Sequence, residues 1–300
     1  MQLDAALTSF CRHCVEAEAV SIDVLYAATS PDFARQYEIL KKSWRDTLGI
    51  TFHRQGDFRV DLLRILGAHD RLWRRLLHDA FHLPGYAVKG GPSRRTSEAA
   101  TPYVLLLVDD NIFCRSFSLE SATRALDARP QAIGFSLRLG RNTTYCYPLD
   151  SQQCTPRFAA IGDCVLAFDW TTAECDFGYP LEVSSSIYRA SRIARILAGL
   201  SFSNPNTLEG RLAGTARQSW ARRTPELLCF ERSVAFCNAV NKVQTVCENR
   251  AGEEKEQSPR ELARLFDSGL RIDTGAFTGF TPNACHCDVP FSFIRDDSGT

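Results

Sequence analysis

The sequence has no surplus of either charge: 35 Lys and Arg stand against 35 Asp and Glu. Chains that bind nucleic acid carry a basic excess to meet the phosphates, so no nucleic-acid partner is expected. No apolar run approaches the roughly 20 residues needed to cross a bilayer, so no transmembrane segment is expected. The start, Met1-Gln-Leu-Asp-Ala-Ala-Leu7, lacks the basic stretch and apolar core of a secretory signal, and the expected location is cytoplasmic. Internal repeats and low-complexity segments are absent, which excludes repeat architectures. What remains is an ordinary globular balance, 44% hydrophobic and 23% charged over 300 residues, enough for one large domain or two modest ones.

The 12 cysteines, in a large chain without an export signal, read mostly as free thiols, several of them on apolar segments. Cys11-x-x-Cys14 and Cys285-His286-Cys287 together offer thiolate and imidazole ligands for zinc. The second group has the wrong spacing for a zinc knuckle, and the two lie far apart, which disfavours that reading.

The most informative stretch is Tyr103-Val-Leu-Leu-Leu-Val-Asp-Asp-Asn-Ile-Phe113. Its first six residues are apolar without a helical period, which predicts a central strand covered on both faces. It stops at Asp109, Asp110 and Asn111. Carboxylates at the end of a buried strand are costly to desolvate unless something positive sits against them. Ligands bind at the carboxyl ends of open α/β sheets, and hard cations such as Mg2+ or Mn2+ take oxygen ligands and bridge to phosphates. A metal-diphosphate site at Asp109–Asn111 is one reading; a plain strand-to-loop turn is the other.

Around this stretch the pattern alternates. A capping helix is expected over residues 1–18, a strand over 20–28, and a helix over 33–44 opened by a Ser or Thr cap. A short strand at 50–53 follows, then a helical pattern over 58–81 that breaks near Gly67. His69, His78 and His82 form no motif. A Gly-, Pro- and Ser-rich connection spans 85–101, and a helix spans 118–128. In the second half, strands are expected at 132–139 and 164–170. Helices are expected at 182–200 (capped by Ser184, Ser185 or Ser186), from Asn206 or Thr207 with Glu209 in the first turn, and at 258–268. The segment 225–242 mixes apolar and polar residues, and 248–259 reads as a charged loop. Alternation of this kind predicts a mostly parallel sheet flanked by helices. Arg138 and Arg141 flank the turn Gly140-Arg-Asn-Thr-Thr144; a guanidinium fork suits phosphate or carboxylate oxygens, although an Arg beside a turn is usually solvated. Trp170 and Tyr179 are aromatics that suit either a flat ligand or the core.

The order of these features resembles the GT-A-fold glycosyltransferases, the nucleotide-sugar-dependent class related to family 2, over roughly residues 20–295. The anchor is Val108-Asp-Asp-Asn111, similar to the Asp-x-Asp motif that closes the nucleotide half, with Asn111 where many members carry Asp. Ser203-Asn-Pro-Asn-Thr-Leu-Glu-Gly-Arg-Leu212 falls where that class places an acidic residue facing the acceptor. Asn283-Ala-Cys-His286 resembles the late His that completes the metal site. The resemblance implies a single GT-A-type (Rossmann-like) domain over 1–300, with a nucleotide-binding half at about 19–115 and an acceptor half at about 116–300. It implies an enzyme using Mn2+ or Mg2+ on Asp109, Asp110, Asn111 and His286. Thr29, Asp57, Asp109, Asp110 and Arg138 would contact a UDP- or GDP-linked sugar, and Glu209 would act as base toward a saccharide, lipid or protein acceptor. Thr29 and Asp57 also suit ordinary cap and loop roles, and Glu209 a first-turn carboxylate. A nucleotidyltransferase acting on sugar phosphates would share the strand-end acids, but it usually brings a basic, Gly-rich loop after the first strand. Here Ala27-Ala-Thr-Ser-Pro31 has no Lys or Arg until Arg35. A non-catalytic sugar- or protein-binding module on the same fold is the remaining alternative.

Overall fold

The computed structural model describes residues 1–45, 49–67, 102–238 and 258–295. His69, His78, His82, the connection 85–101 and most of the charged loop 248–259 lie outside the described residues.

Helix α1 (Gln2–His13) leads into β1 (Ser21–Tyr26), α2 (Pro31–Ser43), β2 (Gly49–Arg54) and α3 (Phe58–Ile65). The Ser30 side chain accepts the Phe33 N–H and caps α2, as the Thr-Ser-Pro-Asp pattern predicts. Next come β3 (Tyr103–Leu106), β4 (Asn111–Phe113), α4 (Leu119–Ala128), β5 (Ala132–Ser136) and the short pair β6 (Tyr145–Cys146) and β7 (Ser151–Gln152). The hairpin β8 (Ala159–Gly162) and β9 (Val165–Asp169) precedes β10 (Ser186–Arg189), α5 (Ala190–Ala198) and α6 (Pro205–Ala216). The chain closes with β11 (Glu226–Phe230), β12 (Ala235–Asn238), α7 (Pro259–Asp267), β13 (Leu270–Ile272), β14 (His286–Cys287) and β15 (Phe293–Arg295).

The main sheet has six strands in the order β3-β10-β5-β11-β9-β8. Within it only β5 and β11 pair in parallel; the other neighbours are antiparallel. The expectation of a mostly parallel sheet is therefore corrected to a mixed, mostly antiparallel one. Parallel neighbours need a crossover, usually a helix. Between β5 and β10 the chain contains short strands and 3-10 turns but no α-helix to make a crossover, so the strands there pair antiparallel. β1 and β2 do pair in parallel, and β14-β12-β4 form a separate small sheet.

The strand expected at the centre stands at the end of the six-stranded order and pairs with β10 alone among the described residues. Its two faces are nevertheless covered. Val104 and Leu106 pack on one apolar cluster and Tyr103 and Leu105 on the other. The neighbouring strands likewise alternate between the two clusters, except that a bulge in β5 puts Ile133 and Phe135, two residues apart, on opposite faces. Ile133, Leu166, Tyr188 and Leu227 face the cluster under α3, α5 and α6. Phe135, Ala167, Ile187 and Leu228 face the cluster under α1 and α4.

The helix expected over 182–200 begins only at Ala190, and no serine side chain caps it. Residues 181–186 run instead as a buried, irregular segment, with Ser185 at φ 86°. Glu182 explains this: its carboxylate accepts from the Ser184 N–H and the Ser186 hydroxyl, so the serines serve a buried charge rather than a helix end. Helix α6 starts earlier than expected, because Asn204 and Thr207 form its capping box. Glu209 consequently lies in the second turn, not the first. The same helix carries Gly214 mid-run, where an added Cβ meets nothing within 4 Å. Gly214→Ala is therefore expected to raise stability by about 0.5–1 kcal/mol, measured as a higher denaturation midpoint.

Candidate active site

Strands β3, β5 and β11 point their carboxyl ends the same way, because β10 runs antiparallel to both β3 and β5. Three pieces meet at that end: the turn after β3, the continuation of β5 through Arg138, and the small sheet β14-β12-β4. Asn111 makes the turn. Its side-chain oxygen accepts the Val108 N–H at 2.9 Å, and its amide donates to Cys237 Sγ at 3.3 Å. Both ends of that amide are engaged inside the fold, which leaves Asp109 and Asp110 as the carboxylates at the tip. The Asp109 side chain reaches solvent, yet crowding by the protein raises its carboxyl above the usual range. Asp110 is pushed up to about 6, first by burial and then by Asp109. Its Oδ1 is buried without a hydrogen-bond partner among the described residues.

Arg138 lies at the centre. It is one charge in the apolar run Phe135-Ser-Leu-Arg-Leu139, and its side chain is only 7% exposed. It donates to Glu182 at 2.9 Å and to Cys237 Sγ at 3.2 Å, and it approaches His286 Nε2 at 3.3 Å. Burial works against its charge, but the paired Glu182 carboxylate holds it on. β12 places Cys237 opposite both Asn111 and His286, so one strand carries the late His to the same sheet as the turn. Burial and then Arg138 lower His286 to about 3, so the imidazole is neutral; its Nδ1 is buried without a partner among the described residues.

Glu209 enters from α6. Burial raises its carboxyl, Glu182 and Asp110 raise it further, and Arg138 and the Val183 N–H oppose the rise. The Tyr179 hydroxyl donates to the Glu209 carbonyl at 3.1 Å and ties that turn of helix down. Asp176 is also raised by burial and opposed by Arg138, with Gln153 donating to it at 3.2 Å. Carboxyls from Asp110, Asp176, Glu182 and Glu209 thus surround a single buried guanidinium. The sequence offers Asp176 and Glu182 only as alternatives to Glu209 as base; the signal that ties them to this site is Arg138 itself, since a charge inside an apolar strand needs a buried partner.

Two cavities lie among the described residues. One, of about 310 Å³, lies between α1, α2 and α7, and Thr29, Phe33, Gln36, Tyr37, Leu262 and Asp109 line it. It joins the end of β1 to the turn after β3. Tyr37 is pushed up to about 12 by burial and by Asp109. The other, of about 410 Å³, is walled by Arg141, Glu231 and Arg232, and none of the converging carboxyls lines it. Asp57 stands outside both. Its carboxylate accepts the Val60 N–H and caps α3, which is the ordinary reading for that residue. Arg141 pairs at 3.7 Å with Glu231 and covers the Phe158 ring. Trp170 is core, with its indole N–H on the Thr224 carbonyl. Among the described residues no three His, Cys, Asp or Glu side chains form a ready ligand set, for zinc or any other ion, and the cysteines are free thiols. No helix there is long and apolar enough to cross a membrane.

No family model matches the sequence. Over 252 residues, 77% of this chain, it is 23% identical to the bifunctional glycosyltransferase pgtA of Dictyostelium discoideum. The chain spans 28% of that protein's length.

Proposed function

We propose that this protein is a glycosyltransferase that moves a sugar from a nucleotide-diphosphate donor to an acceptor hydroxyl. The observation that carries the reading is the crowd of carboxyls around one buried Arg138 at the mouth of the sheet, beside a cavity that Asp109 shares with Thr29. The resemblance of the Asp109–Asn111 turn to an Asp-x-Asp motif and the similarity to pgtA support it.

A divalent cation, Mn2+ or Mg2+, is part of this proposal; the described residues offer it two adjacent carboxylates rather than a complete protein ligand set. Acids outnumber the buried base and Asp110 has an unpartnered oxygen, which support the cation, whereas His286 accepts from Arg138 at Nε2 and so carries its proton on Nδ1, beside the ion rather than as its ready ligand. Asp109 and Asp110 would hold the ion with His286 nearby, and the donor's phosphate oxygens would complete the shell, as Mg2+ sites commonly require. When bound, the ion offsets the charge that gathers on a departing diphosphate.

The chain's own groups supply the rest. The cavity at Thr29 and Tyr37 receives the nucleoside, UDP- or GDP-type. Arg138 holds Glu182 and orders the segment 182–184. That segment's Val183 N–H faces Glu209. Glu209 takes the proton of the acceptor hydroxyl as its oxygen bonds to the anomeric carbon and the bond to diphosphate breaks.

Calorimetry with UDP and GDP tests the donor site. Mn2+ or Mg2+ should tighten binding, and Asp109→Ala combined with Asp110→Ala should abolish the gain. His286→Ala should weaken it in part without lowering the melting temperature to match. Equal affinity with cation and with EDTA would remove the cation from the reading. Failure to release nucleotide from any UDP- or GDP-linked sugar would overturn glycosyl transfer itself.

A further inference from the structure

Charge is balanced over the whole chain but not along it. From Val183 to Pro225 there are seven arginines, no lysine and one acid, Glu209, so the remainder is net negative. These residues build α5, α6 and the 3-10 turn Ala221–Arg223, which cover one face of the main sheet. Their apolar positions, Ile193, Leu197, Leu208, Leu212 and Ala221, are buried in the cluster beneath. The arginines are left on the outside: Arg195, Arg211, Arg217, Arg222 and Arg223 are exposed and Arg192 is half-buried.

Elsewhere about half of the exposed arginines are answered by an acid among the described residues, and the unanswered ones are scattered along the chain. Arg35, Arg64, Arg124, Arg129, Arg141 and Arg264 each pair with a carboxylate. On this layer no acid among the described residues pairs with any of the six. The exposed carboxylate beside it, Asp169, accepts from Thr171, whose carbonyl takes Arg222. Burial and the neighbouring Arg189 and Arg195 lower Arg192, a sign of uncompensated positive potential. Neither of the two cavities is lined by this layer.

We infer that the outer face of α5, α6 and the turn 221–223 docks on a membrane surface rich in anionic lipid. Charge complementarity selects the partner, and the spread of the cations over two helices and a turn suits an extended sheet of phosphates rather than one pocket. Trp220, half-buried and with its indole N–H on Gln218, sits among these arginines as an amphipathic anchor of the kind found at lipid headgroups. Helix α6 also carries Glu209 on its inner side, so docking brings the carboxylate side of the site toward the lipid. The inference stands without the glycosyl-transfer reading, because it concerns binding alone.

Co-sedimentation of the full chain with phosphatidylcholine vesicles, with and without phosphatidylserine, tests it. The wild type should pellet with the anionic vesicles, stay in solution with the neutral ones, and be released by salt. Arg211→Gln, Arg217→Gln and Arg223→Gln combined should weaken partitioning by about 100-fold, since each cation near the surface is worth about five-fold. The control Lys42→Gln, Arg124→Gln and Arg264→Gln has the same net charge and should bind as the wild type. Equal loss in both triples would show a net-charge effect and overturn the face. Absence of sedimentation with phosphatidylserine vesicles would overturn the inference, and retention on RNA or an acidic peptide instead would reassign the face to a soluble partner.

Discussion

Glu209→Gln is expected to slow glycosyl transfer by at least about 100-fold while leaving donor affinity and folding unchanged. The substitution keeps the shape of the side chain and removes its ability to accept a proton. Donor affinity should survive because neither cavity is lined by Glu209, and folding because the Tyr179 bond goes to its backbone carbonyl. The native carboxyl lies above the usual glutamate range, through burial and then Glu182. A general base works only when ionised, so transfer should be full above that raised value and fall as pH drops through it. The acid limb of the kcat/KM profile should therefore sit higher than for a free glutamate. Near-normal transfer by Glu209→Gln would remove this residue from the mechanism and leave either a retaining reaction or another carboxylate, Glu182 or Asp176.

Arg138→Met carries the largest expected effect on stability, a loss of about 3–5 kcal/mol. The Glu182 side chain is 5% exposed, and its oxygens meet Arg138, the Ser184 N–H and the Ser186 hydroxyl. Removing the guanidinium strands a buried negative charge among three other carboxyls. It also frees Cys237 Sγ and His286 from their shared neighbour. Adding Glu182→Gln to Arg138→Met should recover much of the loss, because the charge that was stranded is gone. Urea denaturation of the wild type, both single variants and the double variant measures the coupling. Additive losses would show that the pair is not coupled, and that Arg138 acts through packing alone.

The parts of the fold that were legible in the sequence are local. Ser30, Ser118 and Ser258 each accept the N–H three residues on and cap their helices, as short polar side chains before helical patterns should. Strands expected at 132–139 and 164–170 are found as Ala132–Ser136 and Val165–Asp169, buried on both faces. Glu182 to Leu200 misled, because three serines before an apolar run look like a cap. Only the position of Arg138 explains why that segment stays extended and buried. At the site, Asp109 and Asp110 were legible because acids ending an apolar run need a partner, whereas the Asn111 amide is taken by the Val108 N–H and Cys237, the latter 126 residues away in sequence.

Composition and local pattern alone determined that the chain folds, where most helices start, which strands are buried and which acids are conspicuous, since caps, periodicity and burial depend on residues a few positions apart. Tertiary structure alone decided the sheet's mostly antiparallel pairing, the meeting of Thr29 with Asp109, and the gathering of Asp110, Asp176, Glu182, Glu209 and His286 around Arg138. These depend on contacts between residues tens to hundreds of positions apart. Such contacts follow from which faces pack together and from the need of each buried charge to find a partner, and no spacing in the chain encodes that.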